Sequence, residues 1–546
     1  MSGTQIGHGF NTAGVLTLTN NATLNKTGAG TFTLGNGSGN VNFINAGTTN
    51  VNEGTLTYNT GSGSTSGIIV AASGAAYQVN GAALTLANGS SSTGNFALAS
   101  GSVSPVGTVS MEKLTQTGGT LGGTGTLTLT GTGSTWSGSG TSFWSGDGIV
   151  RVANGADLTL SGTGAGNGFA AHTLDILAGG TVTIAGMVEL DAGVNAITNA
   201  GTLNLSGTQI GHGFNTAGAL TLTNNATLNK TGAGTFTLGN GSGNVNFINA
   251  GTTNVNEGTL TYNTGSGSTS GIIVAASGAA YQVNGAALTL ANGSSSTGNF
   301  ALASGSVSPV GTVSMEKLTQ TGGTLGDTGT LTLMGTGSTW SGSGTSFWSG
   351  DGIVRVANGA DLTLSGTGAG NSFAAHTLDI LAGGTVTIAG MVELDAGVNA
   401  ITNAGTLNLS GTQIGHGFNT AGALTLTNNT TLNKTGAGTF TLGNGSGNVN
   451  FINAGTTNVN EGTLTYNTGS GSTSGIIVAA SGAAYQVNGA ALTLANGSSS
   501  TGNFALASGS VSPVGTVSME KLTQTGGTLG WHRYADADGY WQHVER

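Results

Sequence analysis

A chain of 546 residues with 5% charged side chains, a net charge of −10 and no cysteine has no basic footprint for nucleic acid. It has no disulfide framework and no thiolate metal site either. Glycine supplies 104 residues and proline 3, which excludes collagen and proline-rich linkers, and a mean hydropathy of +0.12 is too high for charge-driven disorder. No stretch of about 18 apolar residues offers a membrane-spanning helix. The opening MSGTQIGHGFNTAG lacks the basic start and apolar core of a signal peptide.

From the N-terminus onward the chain is one long repeat. SGTQIGHGFNTAG begins at Ser2, at Ser206 and, with the same spacing of 204 residues, at Ser410. With Gly123 as an arbitrary start, residues 123–326 and 327–530 are complete units, and residues 1–122 are the last part of an earlier one. The two complete units differ at Gly123/Asp327, Thr130/Met334, Gly168/Ser372 and Ala226/Thr430.

Inside one unit, short runs begin after glycine: GTLNLSG at Gly201, GALTLTN at Gly218, GTFTLGN at Gly234 and GTTNVNEG at Gly251. Leu203 and Leu205, Leu220 and Leu222, and Phe236 and Leu238 alternate with Thr or Asn. That period of two predicts half-buried strands, with β-branched Thr on the outer side. Gly, Asn and Ser clusters supply the turns, and no segment carries a helical stripe. Strand and turn cycling about every 16–22 residues without helices predicts a β-solenoid. The expected fold is all-β, a right-handed parallel β-helix of roughly ten coils per unit, preferred over an antiparallel sandwich array because no hairpin regularity interrupts the pattern.

The stretches NAGTLNLSG, GGTLGGTGTLTLTGTGSTWSGSG, NGADLTLSG, NAGTTNVNEGTLTYN and AASGAAYQVNGAALTL resemble the repetitive passenger regions of filamentous-haemagglutinin-like adhesins and autotransporters. The resemblance covers residues 1–530 as a style of repeat, without a catalytic signature. It implies a right-handed parallel β-helix, a parent protein that is secreted or held at the outer membrane and cell surface, and adhesion to host or surface glycans or to other cells. The family's N-terminal secretion region and C-terminal β-barrel translocator are missing from this sequence, so signal peptide and anchor are expected to be absent. Uncapped solenoid ends predict self-association.

Trp136 and Trp144 in STWSGSGTSFWSG, with Trp340 and Trp348 in the next unit, are the candidate site residues. If exposed, they would stack on sugar rings; otherwise they stack over neighbouring coils. His8, His212 and His416 recur once per unit and stand too far apart along a solenoid to share a metal, and His172 and His376 are likewise single. Asp147, Asp157, Asp175, Glu189 and Asp191 are scattered, and Glu189 and Asp191 are expected on one side of a strand. A glycosidase or lyase needs clustered carboxylates with nearby Lys or Arg, and Arg151 is the one Arg in its unit. No catalytic residue, metal or cofactor is therefore expected. A carbohydrate-active β-helix enzyme is one alternative function. The other is an ice-binding or surface-layer protein, suggested by Thr-x-Thr runs, although in the sequence the arrays are short and the coil length drifts.

The last stretch, WHRYADADGYWQHVER at residues 531–546, breaks the composition. Codons for it, read one base later, spell GTGTLTL, then Thr or Met, then GTGSTWSG, which is the repeat at Gly123–Gly138. The tail is thus expected to be a frameshifted repeat, and Met1, aligned with Leu205, a mid-repeat codon taken as a start. Sequencing the coding DNA tests this: the one-base-shifted frame from Trp531 should encode the repeat, and any other reading there rejects the expectation.

Overall fold

The computed structural model describes residues 1–8, 13–164, 167–211, 218–326, 328–342, 344, 346–367, 371–415 and 422–530. The chain divides into two compact units, Met1–Leu288 and Thr289–Arg546. Among the described residues each unit is all β with no helix, a parallel β-solenoid. Residues 531–546, the stretch expected to be a frameshifted repeat, lie outside the described residues.

Alternation drives the fold directly. In Thr202–Leu205 and Thr227–Lys230, Leu203 and Leu228 are buried while Thr202, Asn204, Thr227 and Asn229 face outward and are half-buried. From Thr126 to Tyr262 a strand pairs with the third strand after it, so three ladders run side by side, whereas the long strands Ala76–Leu86, Ser91–Pro105 and Thr108–Gln116 pair with their immediate neighbours in the chain. The first joins Thr126–Leu129, Ile149–Val152, Thr173–Ile176, Val194–Asn199, Ala219–Asn224 and Asn244–Asn249. The second joins Ser134–Trp136, Asp157–Leu160, Thr181–Ile184, Thr202–Leu205, Thr227–Lys230, Thr252–Val255 and Ile272–Ala275. The third joins Ser142–Ser145, Gly168–Ala170, Met187–Leu190, Gln209–Ile210, Thr235–Leu238 and Thr259–Tyr262. The second unit repeats all three ladders, from Thr330–Leu333, Ser338–Trp340 and Ser346–Ser349 onward.

The spacing of runs seen in the sequence is not the coil length. Thr202–Leu205 and Thr252–Val255 lie on the second ladder, Ala219–Asn224 on the first and Thr235–Leu238 on the third. Successive runs therefore fall on different ladders. Stacked partners on the second ladder are 21 residues apart at Thr183 and Asn204 and 25 apart at Asn204 and Asn229. The corners absorb that variation. Antiparallel contact among the described residues is confined to tight turns such as Asn36 with Gly39 and Asn240 with Gly243. Gly243 is required there because a Cβ would fall on the Gly211 carbonyl oxygen.

In the interior, inward side chains stack on one another from coil to coil. Leu203 rests on Leu228, and Leu205 on Lys230, which in turn meets Val255. Each fully buried aliphatic side chain contributes about 1.5–3 kcal/mol. Lys230 is interior too, its ammonium donating to the carbonyls of Thr231, Gly232 and Glu257 at 3.0, 2.6 and 3.1 Å, and Lys434 repeats the arrangement. Burial lowers the pKa of both, with Glu257 and Glu461 acting in the opposite direction.

Buried asparagines form a second internal column. Asn199 Nδ2 donates to Asn224 Oδ1 and Asn224 Nδ2 to Asn249 Oδ1, both at 2.7 Å, and Asn249 Nδ2 donates to Thr269 Oγ1 at 2.9 Å. Asn403, Asn428, Asn453 and Thr473 form the same chain in the second unit. Of the four positions at which the complete units differ, Met334 is exposed and Ser372 is buried. Thr430 uses its hydroxyl to cap the Gly405 carbonyl at 2.5 Å. Asp327 lies outside the described residues.

Asn224→Ala removes one of two partners from Asn199 Nδ2 and from Asn249 Oδ1, which keep the Thr227 carbonyl and the Thr253 hydroxyl, and the two lost hydrogen bonds should cost about 1–3 kcal/mol. Hydrogen exchange should show faster opening confined to the adjoining coils. The outward Asn229→Ala should change protection by no more than about 0.5 kcal/mol.

Candidate functional site

The densest cluster of chemically distinctive side chains in each unit is aromatic and interior. Trp136 and Trp144 are fully buried, as are Trp340 and Trp348. A ring with no exposed face cannot stack on a sugar, so the surface-stacking expectation for these four residues is corrected. Strand alternation explains the placement: Ser134–Trp136 and Ser142–Ser145 turn their Trp side chains to the same side as the core Leu and Val positions. The rings stack across coils instead. Trp144 lies parallel to Phe169 in the next coil, with centroids 5.0 Å apart and planes 4° apart, and meets His172 at 5.4 Å. Trp348, Phe373 and His376 repeat this with centroids at 4.9 and 5.4 Å.

Sequence reasoning missed the polar partner. Gln116 is fully buried and accepts the Trp144 indole Nε1–H at 2.8 Å, while its own amide donates to the Gly119 carbonyl at 3.0 Å. Gln320 serves Trp348 in the same way. In the sequence, Gln116 sits in the polar stretch MEKLTQ, which reads as a solvated turn; only the inward register of Thr108–Gln116 reveals its place.

His172 caps the aromatic stack. Neither ring nitrogen reaches a partner in good hydrogen-bond geometry. Burial lowers its pKa to about 4, and the nearby backbone of Gly146 and Ser145 offsets this only in part. His376 is likewise lowered to about 4. A cavity of about 10 Å³ beside His376, bounded by Pro309, Leu331 and Ile353, has room for about one water. These imidazoles belong to the packed core. His212 and His416 lie outside the described residues, and so does the side chain of His8.

The ladders separate most of the carboxylates. Asp175 stands on the first ladder and pairs with Arg151 at 2.9 Å, as Asp379 does with Arg355 at 3.0 Å. Both pairs are partly exposed, where an ion pair contributes little. Asp157 stands on the second ladder and accepts the Gly133 N–H at 2.7 Å. Glu189, on the third ladder opposite Gly168, is fully buried, and burial raises the pKa of nearby Asp191. Among the described residues, no three His, Asp or Glu side chains come together as a metal site.

The outer surface of the second ladder is of another kind. Thr183, Asn204, Asn229 and Asn254 follow one another in register, flanked by Thr181, Thr202, Thr227 and Thr252. Asn229 Nδ2 donates to Asn204 Oδ1 at 3.0 Å and Asn254 Nδ2 to Asn229 Oδ1 at 2.9 Å. The second unit carries the same surface, with Asn408, Asn433 and Asn458 bonded at the same two distances. The chain matches no protein-family model, no curated protein and no solved structure.

The buried imidazoles set an acid limit. They are neutral in the fold, whereas an unfolded histidine protonates near pH 6.5, so their stability contribution is complete above that pH. It is lost as pH falls through about 4, at a cost of about 3 kcal/mol for each ring. The raised Asp191 carboxyl acts in the opposite sense. Urea midpoints should fall between pH 7 and pH 4, and the double variant His172→Phe/His376→Phe should flatten that dependence. An unchanged slope in the variant assigns acid sensitivity elsewhere.

Proposed function

We propose that this chain is part of a secreted, adhesin-like bacterial surface protein, a solenoid that displays a repeated polar exterior and performs no catalysis. One observation carries the reading. The chemically versatile Trp, His, Gln and Lys side chains described above serve the interior, while Thr and Asn recur outward in the same register in both units. A solenoid built this way repeats one weak contact at fixed intervals, and repeated weak contacts gain strength through effective concentration. The resemblance of residues 1–530 to filamentous-haemagglutinin-like and autotransporter passengers supports placing the parent protein at the cell surface, with right-handed coiling and glycans or other cells as partners.

Purified chain applied to glycan arrays and to cells should be retained without releasing soluble saccharide. Release of soluble products would overturn the non-catalytic reading in favour of a carbohydrate-active enzyme. Absence of retention on every glycan and cell type would remove adhesion.

A further inference from the structure

We propose that the Thr/Asn lattice on the outer surface of the second ladder is an ice-binding face. The pairs Thr202/Asn204, Thr227/Asn229 and Thr252/Asn254 occupy consecutive coils with no register shift, so they form two straight columns. Columns in a sheet repeat about every 4.8 Å from strand to strand, and alternate residues along a strand stand about 6.6 Å apart. The variation in coil length, 21 residues between Thr183 and Asn204 and 25 between Asn204 and Asn229, is taken up at the corners and leaves the columns in register.

Three properties select the occupant. The lattice is rigid, because successive Asn amides bond to one another and Thr is stiff at χ1. It is uncharged: Asp157 borders it on one side, Ile272 and Val274 on the other, and the Arg151–Asp175 pair stands on a different ladder. An uncharged array complements an uncharged solid. Finally, the lattice has no aromatic ring, while the four Trp of STW and SFW lie buried, so stacking on the faces of a crystalline polysaccharide has no residue to perform it here. What remains is a periodic set of methyl, hydroxyl and amide groups. Such groups hold a first layer of water at fixed spacing with little further ordering cost, since the protein side is already immobile. Ice is the flat, neutral, periodic partner made of that water. The second unit carries the same lattice at Thr406/Asn408, Thr431/Asn433 and Thr456/Asn458, which adds multivalency.

The test uses the full chain in ice-affinity partitioning, with thermal hysteresis as a second measurement. The natural chain should enter growing ice, and Thr227→Tyr/Thr431→Tyr, which places a bulky ring on both lattices, should cut the incorporated fraction at least tenfold. Thr221→Tyr/Thr425→Tyr on the first ladder should leave it unchanged. Circular dichroism of both variants keeps folding separate from binding. Exclusion of the natural chain from ice, equal behaviour of the two variant pairs, or retention on crystalline cellulose or chitin without entry into ice would each overturn the proposal. These readouts are independent of glycan-array adhesion, so either reading can fail alone.

Discussion

Among the described residues of each unit, a coil is bound to the one before it by parallel backbone ladders, and those ladders make each side chain meet its counterpart one coil away. The constraint is strict because a slip of one residue would exchange inside for outside along a whole strand. Leu on Leu, Asn on Asn and Trp on Phe are consequences of this register. So is the need for glycine where backbones at the corners approach one another too closely for a Cβ.

The same constraint explains where the chemistry went. An isolated buried amide is costly, but an amide stacked in register on another amide is satisfied by it, and a column of them becomes a stabilising element. Asn199, Asn224 and Asn249 form such a column within a core made mainly of aliphatic and aromatic groups. Lys230 is tolerated because three carbonyls receive its ammonium. Gln116 and His172 fit around Trp144 as packing partners, one by hydrogen bond and one by ring contact. His172, Trp144 and Lys230, which in a compact enzyme would invite attention as functional groups, here finish the interior. On the outside, Thr and Asn recur along the second ladder and the pairs Arg151–Asp175 and Arg355–Asp379 stand on the first.

Much of the solenoid was legible in the residues. Alternation in TLNLSG and TFTLGN identifies strands and their inner sides, and the 204-residue repeat shows that one architecture recurs. The coil itself was less legible. Runs about 17 residues apart look like successive turns, but they fall on three different ladders, because the short strand Gln209–Ile210 between two of them has almost no pattern to read. Trp136 and Trp144 were visible as conspicuous residues, yet a Gly- and Ser-rich setting gave no clue to their inward direction. That direction depends on the phase of very short strands, and two or three residues carry too little alternation to define a phase.

Composition and periodicity alone determined an all-β, helix-free, cysteine-free repeat with small polar residues on one side of each strand. Those features are local, because they follow from which side chains suit a pleated surface and which suit a turn. Tertiary structure decided which strands stack, and therefore which residues become neighbours. Thr202, Thr227 and Thr252 are separated by whole coils in the chain and adjacent on the ladder, while Trp144 and Gln116 meet only through the interior. No local rule brings them together. Coil closure does, because hydrogen bonding between coils fixes the register and leaves the corners to absorb the differences in length.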